Sequence, residues 1–347
     1  MPKRIVYLSD GTWQGPADGT NIYKLSKAFV ESADQHVIYD DGIGADATGL
    51  DRILEGAFAT TIFQKITDGY KNIAHAFAPG DQIYLFGYSR GAYTARCIAG
   101  MIANCGLPSG SFTNDCIDKT FAAYRTPAQR AAILATLGPC NLVQATIAMI
   151  GAFETVGSLG IPAIFGKIDV DKYGFLDTNL HPDVKNAFHC LAIDEHRPQF
   201  PATLWTPLDP PVPGQTIEQI WFTGCHGDLG GGNQVGGPVD NSTRLCDISM
   251  GYMLGKGIAC GLTADPAIVA KYGTLPSEYA VDAYTDTWKP VDGNPNYRPI
   301  VLTSNLSNSV SIRAKYLLDY RPQNLQFADD SLTDGYSLID LVSNSPF

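Results

Sequence analysis

Basic residues are scarce in this chain. Of its 347 residues, 24 are Lys or Arg against 35 Asp or Glu, a formal net charge of −11. That balance excludes the electrostatic footprint of a nucleic-acid binder and a basic patch for anionic lipid. Any membrane contact is therefore expected to be peripheral and apolar. No stretch approaches the roughly 18 uninterrupted apolar residues of a membrane-spanning helix. The opening residues MPKRIVYL enter a predicted strand at residue 4, leaving no room for a secretory signal with its apolar core and cleavage site. A cytoplasmic location, or export by a route without a Sec signal, is the expectation. Eight cysteines (Cys97, Cys105, Cys116, Cys140, Cys190, Cys225, Cys246 and Cys260) include no Cys-x-x-Cys pair, which argues against a zinc ribbon or redox motif and for buried free thiols. The glycine run 230–232 is not followed by Gly-Lys-Ser/Thr, so it is not a phosphate loop. Internal repeats and low-complexity linkers are absent as well.

What is present is a chain able to bury a large core, 45% hydrophobic, in which short apolar runs alternate with helical or looped segments. Strands are predicted over 4–8, 36–39, 83–86, 145–152, 188–193 and 219–222. Right-handed crossovers would make their sheet mostly parallel, so the fold class is α/β, with ligand chemistry at the carboxyl ends of the strands. Residues 115–137 read as an alanine-rich helix and 246–262 as a second apolar one. One domain is expected over 1–347, with helical cap insertions at about 110–140 and 235–280. The tail beyond residue 282 is rich in Asn, Asp, Pro and Ser yet carries Ile312, Tyr316, Leu317, Leu318 and Tyr320, so it is expected to wrap the domain.

Residues 83–91 read IYLFGYSRG. A bare Gly-x-Ser-x-Gly arises by accident in roughly one chain in ten of this size; its setting gives it weight. Ile83 to Phe86 form the continuous apolar run of a strand buried on both faces. Beyond the motif, Ala92, Ala95, Cys97, Ile98, Ala99, Met101 and Ile102 make a small-residue helix ended by Gly106-Leu107-Pro108. A serine on such a sharp strand-to-helix turn projects its hydroxyl into a cleft, and flanking glycines keep neighbouring backbone from colliding. Ser89 is thus the candidate nucleophile of an α/β-hydrolase-like fold.

A nucleophilic serine needs a base. His226, in IWFTGCHGDLGGG over 220–232, follows a predicted strand and precedes a glycine run. Nucleophile, acid and base follow that chain order in α/β hydrolases, and His226 comes last. The other histidines are His36, His75, His181, His189 and His196; His36 and His189 are read at strand starts, the wrong end of a parallel sheet. For the acid, Glu154 ends the apolar run in IGAFETVGS, Asp194 ends the later run FHCLAI, and Asp228 lies two residues past the base. Glu154 is favoured, with Asp194 as the alternative. Oxyanion donors are expected from the backbone N–H of Arg90 and from Gly11 or Thr12 in the loop SDGTW, with Asp10 bracing that loop.

Six segments carry a family resemblance: Asp-Gly-Thr-Trp (10–13), Gly-Tyr-Ser-Arg-Gly-Ala (87–92), Thr-Val-Gly-Ser (155–158), LAIDEHR (191–197), WFTGCHGDLGGG (221–232) and YRPQNL (320–325). Together they make the chain resemble the catalytic domain of type VI secretion phospholipase effectors, α/β hydrolases grouped with a bacterial and fungal family of originally unknown function. The resemblance implies Ser89 as nucleophile, His226 as base and position 154 as acid. It also implies a phospholipid or other lipid ester as substrate and, for an effector, an immunity protein as partner. The family pattern has Asp before Thr-Val where this chain has Glu154, one methylene longer, so Asp194 stays open. The expected activity is that of a serine carboxylic ester hydrolase of lipase or phospholipase type, forming an acyl-enzyme and needing no metal or organic cofactor. Two other readings stay open: an esterase acting on soluble or carbohydrate esters, and a noncatalytic interaction module that retains the fold.

Overall fold

The computed structural model describes residues 2–42, 55–138, 140–156, 180–198, 200–232, 244–282, 294–329 and 331–343, with backbone alone at 55–60. Gly157 and Ser158 of the Thr-Val-Gly-Ser segment lie outside the described residues, as does the part of the expected insertion from 235 to 243.

The strands are β1 (Arg4–Ser9), β2 (Gln35–Asp40), β3 (Gln82–Tyr88), β4 (Leu107–Pro108), β5 (Leu142–Val143), β6 (Thr146–Phe153), β7 (Val184–Ala192), β8 (Thr216–Phe222), β9 (Asn305–Ser307), β10 (Phe327–Ala328), β11 (Ser331–Leu332) and β12 (Ser337–Ile339). The α-helices are α1 (Asn21–Ala28), α2 (Glu55–Ala76), α3 (Arg90–Cys105), α4 (Asn114–Arg125), α5 (Arg130–Leu134), α6 (His226–Gly230), α7 (Leu245–Ala259), α8 (Pro266–Tyr272) and α9 (Ser309–Tyr316). Eight strands form one sheet in the order β12-β9-β8-β7-β6-β3-β1-β2, with every pairing parallel.

Side chains alternate across the sheet with the period of two that a strand imposes. Ile5, Tyr7, Ile83 and Leu85 face a cluster that includes Ile66 and Ile73 of α2 and Ile98 and Met101 of α3. Val6, Leu8, Tyr84 and Phe86 face the opposite cluster, with Ile22 and Leu25 of α1 and Ile248 and Met253 of α7. A sheet covered on both faces explains why these strands read as unbroken apolar runs.

The strand order positions the functional edge. From β1 the chain steps outward to β2, then returns to the other side of β1 as β3. That reversal puts a topological switch point at the carboxyl ends of β1 and β3, the place where α/β sheets bind ligands. From β3 onward the order runs β6, β7, β8, so the loops after these strands line the same edge.

The strands are longer than the apolar runs that mark them. β7 starts at Val184 and β8 at Thr216, where Lys185, Asn186 and Glu218 interrupt the apolar pattern. The helix expected over 115–137 is broken: α4 ends at Arg125, a 3-10 turn spans Pro127–Gln129, and α5 follows. Pro127 has no N–H to donate and restricts the residue before it, which ends the helix. The polar tail does wrap the domain, and it also adds β9 and β12 to the sheet. Cys116 and Cys140 are disulfide-bonded, their Cα atoms 6.0 Å apart, which corrects the reading of all eight cysteines as free thiols.

Candidate active site

Ser89 sits between the last residue of β3 and the first of α3, with φ 58° and ψ −121°. A side chain at Gly87 would meet the Gly91 carbonyl oxygen at 2.3 Å, and one at Gly91 would meet that of Ser9 at 2.1 Å. Both glycines are therefore demanded by close backbone approach. The Ser89 N–H donates to the Phe153 carbonyl at 3.0 Å, which ties the turn to the end of β6. Four non-glycine residues have positive φ among the described residues: Trp13, Ser89, Glu154 and Asp329. The first three follow β1, β3 and β6 at one edge of the sheet. Such backbone costs about 1–3 kcal/mol per residue and persists where surrounding structure enforces it, most often at functional sites.

Glu154 is buried directly after β6. Its Oε1 accepts from the Ala192 N–H and, at 2.8 Å, from Nη1 of Arg298; its Oε2 accepts from Nη2 of Arg298 at 2.9 Å and lies 3.2 Å from Nδ1 of His226. Burial alone would push this carboxyl up, but the Arg298 guanidinium and the His226 hydrogen bond outweigh it and hold Glu154 well below the usual carboxylate range. The ionised carboxylate can only accept, so Nδ1 of His226 carries the proton and Nε2 keeps its lone pair.

His226 opens α6. Its place is set by Asp228, whose Oδ2 accepts from the Cys225 N–H at 2.9 Å, and by Glu195, whose Oε2 accepts from the His226 N–H at 3.2 Å. The imidazole rests on the Tyr88 ring, centroids 4.9 Å apart, and against the edge of Phe200 at 5.0 Å. Burial depresses His226 below the usual histidine value, while the Glu154 and Glu195 carboxylates pull it upward.

In the loop after β1, Asp10 Oδ2 accepts from the hydroxyls of Thr20 at 2.6 Å and Tyr39 at 2.7 Å, and Oδ1 accepts from the Gly11 N–H at 2.7 Å. Asp10 thus braces the loop, and Gly11 has its N–H engaged, leaving Thr12 as the better of the two expected donors. Thr12 Oγ1 accepts from Nε of Arg90, so this loop touches the residue that follows Ser89.

Residues 3–256 match the family model described as T6SS, phospholipase effector Tle1-like, catalytic domain. The chain belongs to that family. An uncharacterized protein of Saccharomyces cerevisiae is 30% identical to this Tle1-like domain over 234 residues, which are 59% of this chain and 33% of that protein. The chain therefore spans one third of that relative's length. Among solved structures, an uncharacterized protein from Pseudomonas aeruginosa is similar with a TM-score of 0.46 and 16% identity over 78% of this chain and 49% of that one. The Tle1 effector bound to the VgrG spike from the type 6 secretion system gives 0.35 and 20% identity over 69% and 53% respectively.

Within the Tle1-like domain, Glu154 and His226 are brought together, and Asp194 is not part of that contact. Asp194 Oδ2 accepts from the Gly224 N–H at 2.7 Å and the Tyr320 hydroxyl at 3.0 Å. The other histidines serve elsewhere. His36 pairs with Glu31, His181 with Asp183, His75 packs on Phe112 and His196 on Tyr297. His189 is not at a strand start as expected but well inside β7, where its Nε2 accepts from the Thr155 N–H at 3.2 Å; burial drives it down to about 3. Arg298 and Glu195 were not legible as site residues. Glu195 lies within the LAIDEHR segment, whereas nothing in the local pattern NPNYRPI marks Arg298.

Burial pushes Asp194 up to about 7, against the hydrogen bonds from Gly224 and Tyr320. A folded-state value above the unfolded one gives stability that is full at low pH and is lost as pH rises through the folded value. Asp194→Asn, which mimics the protonated acid, is expected to gain on the native chain between about pH 4 and 8, by on the order of 2–4 kcal/mol. Urea unfolding across that range checks this; parallel pH slopes for the two proteins would refute it.

Proposed function

We propose that this Tle1-like domain is a serine carboxylic ester hydrolase of phospholipase type, with Ser89, His226 and Glu154 as its triad. The observation that carries the reading is the 3.2 Å contact of Glu154 Oε2 with His226 Nδ1, at the same sheet edge as the strained Ser89 turn. It leaves Nε2 as the proton acceptor that a serine nucleophile requires.

In this mechanism Ser89 Oγ attacks the acyl carbonyl carbon as His226 Nε2 takes its proton. The Arg90 and Thr12 N–H groups donate to the oxygen on which negative charge develops. The C–O bond to the leaving alcohol breaks as the imidazolium protonates that oxygen, leaving an acyl-Ser89 ester. Water, deprotonated by His226, then adds to the acyl carbon, and the C–O bond to Ser89 breaks as the imidazolium returns the proton to Oγ, releasing the carboxylic acid. Glu154 holds the imidazole tautomer and stabilises the imidazolium without taking the proton. The family description supports a lipid ester as acyl donor, and among the described residues no helix is long and apolar enough to cross a membrane.

A fluorophosphonate probe with peptide mapping tests the reading. A single adduct on Ser89, absent in Ser89→Ala, is expected, together with fatty-acid release from phospholipid–detergent micelles. A folded protein that neither labels nor hydrolyses short-chain esters would overturn it.

A further inference from the structure

The carboxylates that face His226 are each paired with an arginine. Glu154, at the end of β6, is gripped by both terminal nitrogens of Arg298. Glu195, in the loop after β7, is gripped by Arg197 through Nε and Nη2, both at 2.8 Å. Arg298 is 2% exposed, and the same two nitrogens also donate to the carbonyls of Ala192 at 2.8 Å and Phe200 at 2.7 Å. One guanidinium thus joins the acid, the end of β7 and the residue whose ring packs against the imidazole. It comes from the tail, beyond residues 3–256 that match the family.

We propose that Arg298 is a positioning residue of this site, setting both the place and the effective charge of the carboxylate on which His226 turns. The inference rests on the proposed triad. A carboxylate fixed by a planar two-pronged partner has one orientation, so His226 is presented to Ser89 in one orientation. The pairing also changes the electrostatics. An unpaired buried Glu154 would strongly favour the imidazolium, and a protonated base cannot accept from Ser89. With its charge offset by Arg298, Glu154 still accepts from Nδ1 but stabilises the imidazolium less, so His226 stays neutral and competent at lower pH. The other groups around the pair are Tyr88 on β3, His189 and Cys190 on β7, and Cys225 and Asp228 beside His226 itself. None of these carries the cation that offsets Glu154.

The test is the pH profile of kcat/KM for a short-chain p-nitrophenyl ester in the native chain, Arg298→Gln and Arg298→Lys. The acid limb is expected to move up by a pH unit or more in Arg298→Gln. In Arg298→Lys, which keeps the charge but loses the fork, the limb is expected near its native place with kcat reduced about tenfold. A folded Arg298→Gln variant with an unmoved acid limb overturns the proposal. Where the glutamine variant does not fold, the lysine variant decides alone, and native kcat/KM in it overturns the proposal too. Failure of both to fold assigns Arg298 to the fold rather than to the site. Ser89→Ala is measured alongside. Turnover that persists there sinks the triad, whereas Ser89-dependent turnover indifferent to Arg298 sinks only the positioning role.

Discussion

Replacing His226 with alanine is expected to lower kcat/KM for ester hydrolysis by about 10⁴- to 10⁶-fold, as loss of a triad base does elsewhere. The serine hydroxyl is a poor nucleophile at neutral pH, and no other described base stands where His226 Nε2 does. His189 is buried under the Thr155 N–H and driven down to about 3. The fold is expected to survive, because Glu154 keeps its two contacts with Arg298 and the Ala192 N–H, so no buried charge is left unpaired. What remains is a ring-sized gap between Tyr88 and Phe200, with a stability loss of about 1–3 kcal/mol. Steady-state kinetics and thermal unfolding on the same preparation separate the two effects. A fall in kcat/KM of less than tenfold would remove His226 from the role of base.

The parts of this site that could be read from the chain are those where local sequence and global fold demand the same residues. Ile83 to Phe86 had to be apolar because β3 is covered on both faces, and Gly87 and Gly91 had to be glycine because backbone passes within reach of any side chain there. The position of His226 followed from a predicted strand before it and a glycine run after it. Glu154 is favoured over Asp194 in the sequence, yet both carboxylates end apolar strands, and the local pattern does not show where either side chain points. Glu154 points to His226, while Asp194 is taken by Gly224 and Tyr320. Arg298 was illegible for a stronger reason. Its partners lie in segments distant in sequence, and a polar tail carries no periodicity to show which of its residues turns inward. β9 and β12, three residues each, are too short to carry a pattern at all. Pro127 and the place of Glu195 within LAIDEHR were signals that the sequence did contain.

Glu154→Gln is expected to cost about 3–5 kcal/mol of stability at neutral pH, since it strands the Arg298 guanidinium in the interior without a counter-charge. The loss has a sign in pH. Glu154 is held below its ordinary value in the fold, so its contribution is present above the unfolded carboxylate value and is lost as pH falls. The gap between native and variant is therefore expected to close below about pH 4. Activity is expected to fall by up to about 10⁴-fold for a reason separate from stability. The amide oxygen will take the donors on its inner side, Arg298 and the Ala192 N–H, leaving the amide nitrogen toward His226. That nitrogen donates, so Nδ1 must accept, and the proton moves to Nε2, where it blocks uptake from Ser89. Glu154→Asp keeps the charge but withdraws the carboxylate by one methylene, and is expected to lose far less of both. Urea unfolding and kcat/KM measured on the two variants together form the check. A glutamine variant as stable and as active as the aspartate one would show that neither the buried ion pair nor the imidazole tautomer depends on the charge at position 154.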